Sequence, residues 1–305
     1  MSVINICICT FKRERSLDVC LRSFIDLRIP RDTEVIVTII DNDEAGSAGK
    51  IVSRLKDSFP LPLHYHIEPK RGIPCARNRA IDETHAMGCD YLIFIDDDEW
   101  VEPDWLENLY SFCQQHGGEI IVSGVVISEL PENVPVHIRD LFNKSQKPSG
   151  SKLSSCATNN VLIPTKITKR SALRFDETNP LAGGTDTIFF CNAVNAGAVI
   201  LKCAEAVVHE SIPENRLTIR WLSKRKYRAG ITAAWRKHQN GRSKLNIALS
   251  SVFQIAVDSV KCVLMILLWK RKDRNLFWLN ACRSAGVLCG ILGKRVDSYQ
   301  QIDGQ

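Results

Sequence analysis

An apolar run that stops at four consecutive acids, Tyr91-Leu92-Ile93-Phe94-Ile95 followed by Asp96-Asp97-Asp98-Glu99, constrains this chain more than any other feature. Such a run suits a central parallel strand, which is covered on both faces, so the acids fall at the strand's carboxyl end. Four adjacent like charges cannot be buried together unpaired, and a cation is expected beside them. Hard oxygen ligands one residue apart, Asp96 and Asp98, suit Mg²⁺ or Mn²⁺, which keeps waters and substrate phosphates in its other positions. Ligands of open α/β sheets also collect at the carboxyl ends of strands. The competing reading is an acidic turn into a helix starting near Pro103; it accounts for one or two acids and leaves a further triple without a reason.

With 305 residues, 45% of them hydrophobic, the chain is one large domain or a domain with an appendage, and disorder is excluded. Its 12 cysteines show neither paired nor zinc-like spacing, and Cys7, Cys9, Cys20 and Cys191 fall in apolar patterns as small core residues, which points to a reducing compartment. The segment Met1–Asn5 enters a strand at once, so no cleaved signal peptide is expected. The net charge of +6 hides an asymmetry: residues 214–305 hold 18 Lys and Arg against 5 acids, leaving 22 against 29 for residues 1–213. A basic tail on an acidic body implies an anionic partner.

Val3 to Cys9 reads as a first buried strand, followed by Thr10-Phe11-Lys12-Arg13 and a helix carrying Leu17, Cys20, Leu21, Phe24 and Ile25. Glu34 to Ile40 is a second strand ending at Asp41-Asn42-Asp43, and Leu63 to Ile67 a third, with Lys70-Arg71-Gly72-Ile73-Pro74 opening a helix that bears Arg77. Alternating strands and helices imply a mostly parallel, doubly wound α/β sheet. Asp41 alone reads equally as a turn aspartate, and Arg71 and Arg77 as a solvated face. Together, two acidic strand ends and a basic helix start make a place for a nucleotide. Residues 129–155, with Pro131, Pro135 and Pro148, read as a long surface segment; Ala157 to Ile163 reads as a strand, and 175–186 as a Gly-rich loop. Asp186 then sits near a helix N-terminus, where an acid is favoured by the dipole alone. His209 ends a short apolar run and is either structural or a metal ligand folded back toward Asp98. The cluster Arg216, Arg220, Lys224, Arg225, Lys226 and Arg228 lies on a helix, as a phosphate site or a solvated face.

In the tail, Asn246, Ser250, Gln254, Asp258 and Lys261 recur every three or four residues and mark one helical stripe. The run Cys262–Trp269 is short of the roughly 20 apolar residues of a membrane span, and Lys270-Arg271-Lys272 follows it. A helix lying in a membrane interface, anchored by Trp269 and the basic residues, is expected; a helical subdomain packed on the core is the alternative.

The ordered motifs Ile8-Cys9-Thr10-Phe11-Lys12-Arg13, Asp41-Asn42, Gly72-Ile73-Pro74-Cys75-Ala76-Arg77-Asn78, Phe94-Ile95-Asp96-Asp97-Asp98 and Gly183-Gly184-Thr185-Asp186 resemble the family 2 glycosyltransferases of GT-A fold. The likeness is greatest to bacterial enzymes of exopolysaccharide synthesis, of the succinoglycan kind, and covers residues 3–230. It implies a GT-A domain over 1–213 and a basic helical region over 214–305. It also implies a nucleotide-sugar donor, commonly a UDP-hexose, held by Thr10, Phe11, Arg13, Asp41, Arg71, Arg77, Asp96 and Asp97. A divalent metal, Mn²⁺ or Mg²⁺, would sit at Asp96 and Asp98, with His209 as an extra ligand. Asp186 would be the base, with Asn160 and Thr185 on the acceptor side. Thr185 stands where many relatives carry Glu. Arg220-Trp221 matches part of a processive-synthase motif, but Leu217 stands in place of its Gln, so transfer of a single sugar is expected. One base and no second nucleophile imply inversion. The acceptor would be a lipid-linked saccharide at the cytoplasmic face of the plasma membrane. A nucleotidyltransferase would share the metal site, but Thr10-Phe11-Lys12-Arg13 stands where its usual Gly-rich phosphate loop would follow the first strand, and a silent membrane scaffold is the non-enzymatic alternative. Nucleic acid is not expected, because the tail's basic residues alternate with aliphatic runs and not with stacking aromatics.

Overall fold

The computed structural model describes residues 1–142, 146–178, 180, 183–239 and 241–294. Of the expected loop over 175–186, Asn179, Leu181 and Ala182 lie outside the described residues, as do 143–145 of the 129–155 segment and the end of the tail.

The first half alternates strand and helix: β1 (Ser2–Thr10), α1 (Glu14–Arg22), β2 (Thr33–Asp41), α2 (Gly49–Leu55), β3 (Leu63–Ile67), α3 (Ile73–Ala86) and β4 (Tyr91–Asp96). Short β5 (Glu99–Val101), α4 (Trp105–Gln115), β6 (Ile121–Glu129), α5 (Val136–Phe142), β7 (Val161–Pro164), α6 (Thr165–Arg170), α7 (Thr185–Asn195) and β8 (Ile200–Ser211) follow. The tail is α8 (Ile219–Gln239), α9 (Lys244–Leu267) and α10 (Arg271–Ile291). All eight strands form one sheet in the order β3-β2-β1-β4-β7-β6-β8-β5. The β3-β2-β1-β4 half is parallel, as is β6 with β8, whereas β7 runs against β4 and β6, and β5 against β8.

Side-chain alternation along the strands sorts residues into two layers. Ile4, Ile6, Ile8, Ile93 and Ile95 meet Leu17, Phe24 and Trp105 on one face, while Cys7, Leu92 and Phe94 meet Ala80, Phe175 and Phe189 on the other. The register delivers the polar strand ends to one edge: Thr10 lies opposite Asp41, and Cys9 opposite Asp96. Because β7 is antiparallel to β4, with Val161 opposite Phe94, its entering residues Asn159 and Asn160 reach that same edge. Likewise the antiparallel β5–β8 pair sets Glu210 opposite Glu99.

In the tail α10 packs on both α8 and α9. Close approach depends on glycine: a Cβ at Gly230 would lie 2.0 Å from the Arg283 carbonyl oxygen, and one at Gly286 2.0 Å from that of Tyr227. Helix α9 is a single 24-residue helix, capped by the Ser243 hydroxyl, which accepts from the Asn246 N–H. The expected polar stripe is split: Asp258 is buried and accepts from Gln254 Nε2 at 3.0 Å, whereas Asn246, Ser250 and Lys261 face outward. The eight-residue run Cys262–Trp269 underestimated the helix, which by length and composition is long and apolar enough to cross a membrane.

Candidate active site

A cavity of about 850 Å³ opens where the carboxyl ends of β1 and β4 meet the N-terminal end of α7 and one face of α8. Its sheet-side wall holds the acids. Asp97 accepts from Thr10 Oγ1 at 2.7 Å and from Arg13 Nη1 at 3.1 Å, and the same Arg13 nitrogen reaches Asp98 Oδ2 at 3.0 Å. Arg77 Nη2 stands 3.8 Å from Asp96 Oδ1. The turn is fixed from below by Glu99, buried, which accepts from the Asp96 N–H at 3.0 Å and from Asn159 Nδ2 at 2.9 Å.

The electrostatics of this wall call for more positive charge. Burial pushes Asp96 up to about 7, with Arg77 opposing it and Asp98, Asp97 and Asp186 adding to it, although 46% of the side chain is open to the cavity. Burial likewise raises Asp97 to about 6 against the pull of Arg13, and raises Glu99 well above the usual carboxylate range, with Asp96 next in effect. Arg13 stays charged because Asp97 and Asp98 outweigh the burial that pulls it down.

A divalent ion is a chemically fitting source of that charge. Among the described residues no three His, Cys, Asp or Glu side chains are clustered as a self-sufficient metal site. Mg²⁺ and similar ions in phosphate chemistry need only one or two carboxylates, the substrate phosphates and water supplying the rest. Asp96 and Asp98, both lining the cavity and both crowded by like charge, fit that role.

The basic loop is built by Asn42. Its Nδ2 donates to the carbonyls of Glu68 and Lys70, both at 2.9 Å, and its Oδ1 accepts from the Gly72 N–H at 2.7 Å. Gly72 has φ 143°, and a Cβ there would lie 2.4 Å from Pro180 Cβ, so the position requires glycine. Arg71 is thereby laid over the Phe11 ring at 4.8 Å, and Arg77 over Phe175 at 5.6 Å. Opposite, Gly184 at φ 89° precedes α7, and Asp186 in its first turn accepts from the Thr187 N–H at 2.7 Å while lining the cavity.

Of the residues singled out from the sequence, Thr10, Phe11, Arg13, Arg71, Arg77, Asp96, Asp97, Asp98 and Asp186 all line this one cavity. Four are placed otherwise. Asp41 is fully buried: its carboxylate accepts from the Ala48 N–H at 2.7 Å and from the Tyr65 hydroxyl at 2.9 Å, so it folds the β2–α2 loop while Asn42 faces the cavity. Asn160 is a structural amide, donating to the Val125 and Ala206 carbonyls and accepting from Trp105 Nε1, each at 2.9 Å; its neighbour Asn159 reaches the cavity instead. Thr185 is buried and is not among the residues lining the cavity. His209 points to the other side of β8, between Glu102 at 3.0 Å and Glu129 at 3.1 Å and stacked on Trp100, while Glu210 and Ile212 face the cavity. In a strand, neighbours alternate faces, and the β5 pairing decides which face His209 takes.

The basic cluster, read from the sequence as either a phosphate site or a solvated face, contributes Lys224, Arg225 and Arg228 to the cavity wall. Trp221, Lys224, Arg225, Arg228, Thr232 and Arg236 line the cavity from α8, and Arg283 does so from α10. Their spacing of three or four residues, visible in the basic cluster of the sequence, marks one helix face.

Residues 5–175 match the family model described as "Glycosyl transferase family 2". The chain is 32% identical over 304 residues to the succinoglycan biosynthesis protein ExoM of Rhizobium meliloti (strain 1021), covering 97% of this chain and 95% of that protein. Among solved structures it is similar to the mannosyltransferase PcManGT from Pyrobaculum calidifontis in complex with GDP-Man and Mn²⁺ (TM-score 0.68, 15% identity, 95% of this chain and 87% of that one). It is also similar to S. aureus TarS 1–349 in complex with UDP-GlcNAc (TM-score 0.55, 14% identity, 93% of this chain and 91% of that one). At such identities these two likenesses establish the fold, that of GT-A glycosyltransferases.

Proposed function

The chain belongs to glycosyltransferase family 2, and from that premise we propose that it is an inverting transferase that moves one sugar from a nucleotide-sugar to a lipid-linked saccharide in bacterial exopolysaccharide, capsule or O-antigen synthesis. The observation that carries this reading is the convergence of Asp96, Asp97, Asp98, Arg13, Arg71, Arg77 and Asp186 on one cavity. The relative named for succinoglycan biosynthesis supports the pathway class, and neighbours solved with UDP-GlcNAc and with GDP-Man and Mn²⁺ support the donor class and the metal.

In this reading the donor diphosphate lies along the sheet edge. Arg77 and Arg71 answer its charge, and Phe11 with Asn42 borders the base and ribose. Asp96 and Asp98 would hold a divalent metal, which when bound supplies further positive charge to the departing diphosphate. Asp186 accepts the proton of the acceptor hydroxyl as that oxygen forms its bond to the anomeric carbon. The bond from that carbon to the diphosphate oxygen breaks on the opposite face, which inverts the centre. Asp41 acts beneath the donor, by holding the loop that aims Asn42. The outward apolar face of α9 and the basic excess of the tail suit attachment at the cytoplasmic surface of the plasma membrane, where a lipid-linked acceptor resides.

The test is calorimetric titration of the full chain with UDP, GDP and TDP, with and without Mn²⁺. One nucleotide is expected to bind in a metal-dependent way, with binding lost in Asp98→Ala. Absence of binding under every metal condition removes the transferase reading. With the donor known, Asp186→Asn should turn over roughly 10²–10⁴-fold more slowly while donor binding persists; full turnover in that variant removes Asp186 as the base.

A further inference from the structure

The two walls of the cavity carry cations in different states. On the sheet side Arg13 is committed to Asp97 and Asp98, and Arg77 stands beside Asp96. On the helical side Lys224, Arg225, Arg228 and Arg236 form one face of α8, with Arg283 of α10 beside them. Among the described residues none of these five has a carboxylate within ion-pair distance. Arg225 instead packs over Trp221 at 5.4 Å. The positive field is felt next door: Lys237 is lowered by burial and then by Arg283, Arg242 and Arg236. Five cations along one wall, none held in an ion pair among the described residues, repel one another, an arrangement that a bound anion stabilises.

We infer that this helical wall is a second anion site, distinct from that of the donor, and that it binds a phosphate group carried by the acceptor. The inference rests on the transfer reading above, with its lipid-linked acceptor, and adds where in the cavity the acceptor's phosphate would be held. Three observations favour the acceptor over the donor as its occupant. The sheet-side wall already has its own guanidinium groups where a nucleotide would lie. The cavity, about 850 Å³, is near the upper end of small-molecule sites, which run to roughly 1,000 Å³, and so has room for two ligands. Asp186 stands between the walls, because α8 is pressed against the start of α7: a Cβ at Gly184 would lie 2.4 Å from Thr232 Cγ2, and Thr232 Oγ1 donates to the Gly183 carbonyl at 3.3 Å. A sugar held by its phosphate at Arg228 and Arg236 therefore presents its hydroxyls toward the base. Arginine suits the task, since its planar fork pairs two phosphate oxygens at once.

The experiment uses the full chain saturated with Mn²⁺ and whichever of UDP, GDP and TDP binds, and glucose 1-phosphate as the probe, followed by saturation-transfer NMR. The nucleotide-loaded protein is expected to bind the sugar phosphate. The double variant Arg228→Gln, Arg236→Gln should bind it at least about ten-fold more weakly, since two charge-assisted contacts are lost. Arg228→Lys, Arg236→Lys, which keeps the charge, should recover most of the affinity, and nucleotide affinity should stay within about two-fold in both. The recovery separates loss of charge from misfolding. The proposal is overturned if the Gln pair weakens nucleotide binding comparably, which assigns the wall to the donor. It is also overturned if the loaded protein binds no sugar phosphate. A third overturning result is a Gln pair that loses only its binding to phosphatidylglycerol vesicles, which makes the wall a membrane patch. If the wild-type chain binds no nucleotide at all, the transfer reading fails by itself, a result separable from these three.

Discussion

The strand body and the helix α9 differ in how much apolar surface they leave uncovered. Around the sheet, isoleucines, Phe189 and Trp105 are fully enclosed and the charges are turned to the edge. Along α9, Ile247, Ser251 and Asp258 are enclosed, while Leu249, Phe253, Val260, Val263 and Leu267 are more than half exposed. A helix that leaves this much apolar surface uncovered while enclosing an aspartate suits surroundings that are themselves partly apolar. The contrast teaches that one chain can carry surfaces for two solvents: the sheet closes its core against water, and the exposed apolar face of α9 suits the lipid surface proposed above.

The largest effect that sharpens this contrast lies in the body. Trp105 is fully buried, stacked on Phe24 with centroids 6.1 Å apart, and donates to Asn160. Trp105→Ala should cost roughly 3–5 kcal/mol through the cavity it leaves, and the orphaned Asn160 oxygen adds to the loss. A denaturant midpoint that moved by less than about 1 kcal/mol equivalent would show that Trp105 is not held in the enclosed core described.

An intermediate effect comes from the joint between the tail helices. Gly230→Ala brings a methyl group against the Arg283 carbonyl, and overpacking of this kind costs about 1–3 kcal/mol. It should displace α10 and with it Arg283, lowering transfer activity while nucleotide binding at the sheet edge persists. If nucleotide binding fell with activity, the two walls would be a single mechanical unit and the contrast would break there.

How much of this was legible beforehand follows the same division. The strand ends were readable because a two-face-buried strand has to stop where charges begin, and Asp96, Asp97 and Asp98 mark that stop unambiguously. Parity was not readable. Whether Asn159 or Asn160 faces the cavity depends on how β7 pairs with β4, and whether His209 or Glu210 does depends on a three-residue strand, β5, too short to announce itself. A shift of one residue exchanges the faces, so both residues expected there were replaced by an immediate neighbour. Asp41 illustrates a different limit, since a strand-end aspartate and a loop-folding aspartate share one sequence signature, and only the positions of the Ala48 N–H and Tyr65 distinguish them. The basic face of α8 was present as a three-to-four spacing, but that it closes the cavity depends on glycine contacts between helices far apart in sequence.

The smallest expected change in stability carries the most direct test of the two-solvent contrast. Phe253 and Leu264 are 69% and 48% exposed on α9. In water, a surface substitution away from caps and cores shifts stability by no more than about 0.5 kcal/mol. The double variant Phe253→Ser, Leu264→Ser should therefore unfold at nearly the wild-type denaturant concentration. On a membrane the same side chains are buried, and each large apolar side chain transferred from water contributes about 1.5–3 kcal/mol. Co-sedimentation with phosphatidylglycerol and phosphatidylcholine vesicles should then fall by roughly ten-fold or more. Unchanged vesicle binding would place the apolar face of α9 away from lipid, and a large loss of stability in water would mean that Phe253 and Leu264 are packed in solution. Either result would leave α9 as an ordinary packing helix and dissolve the distinction between it and the sheet.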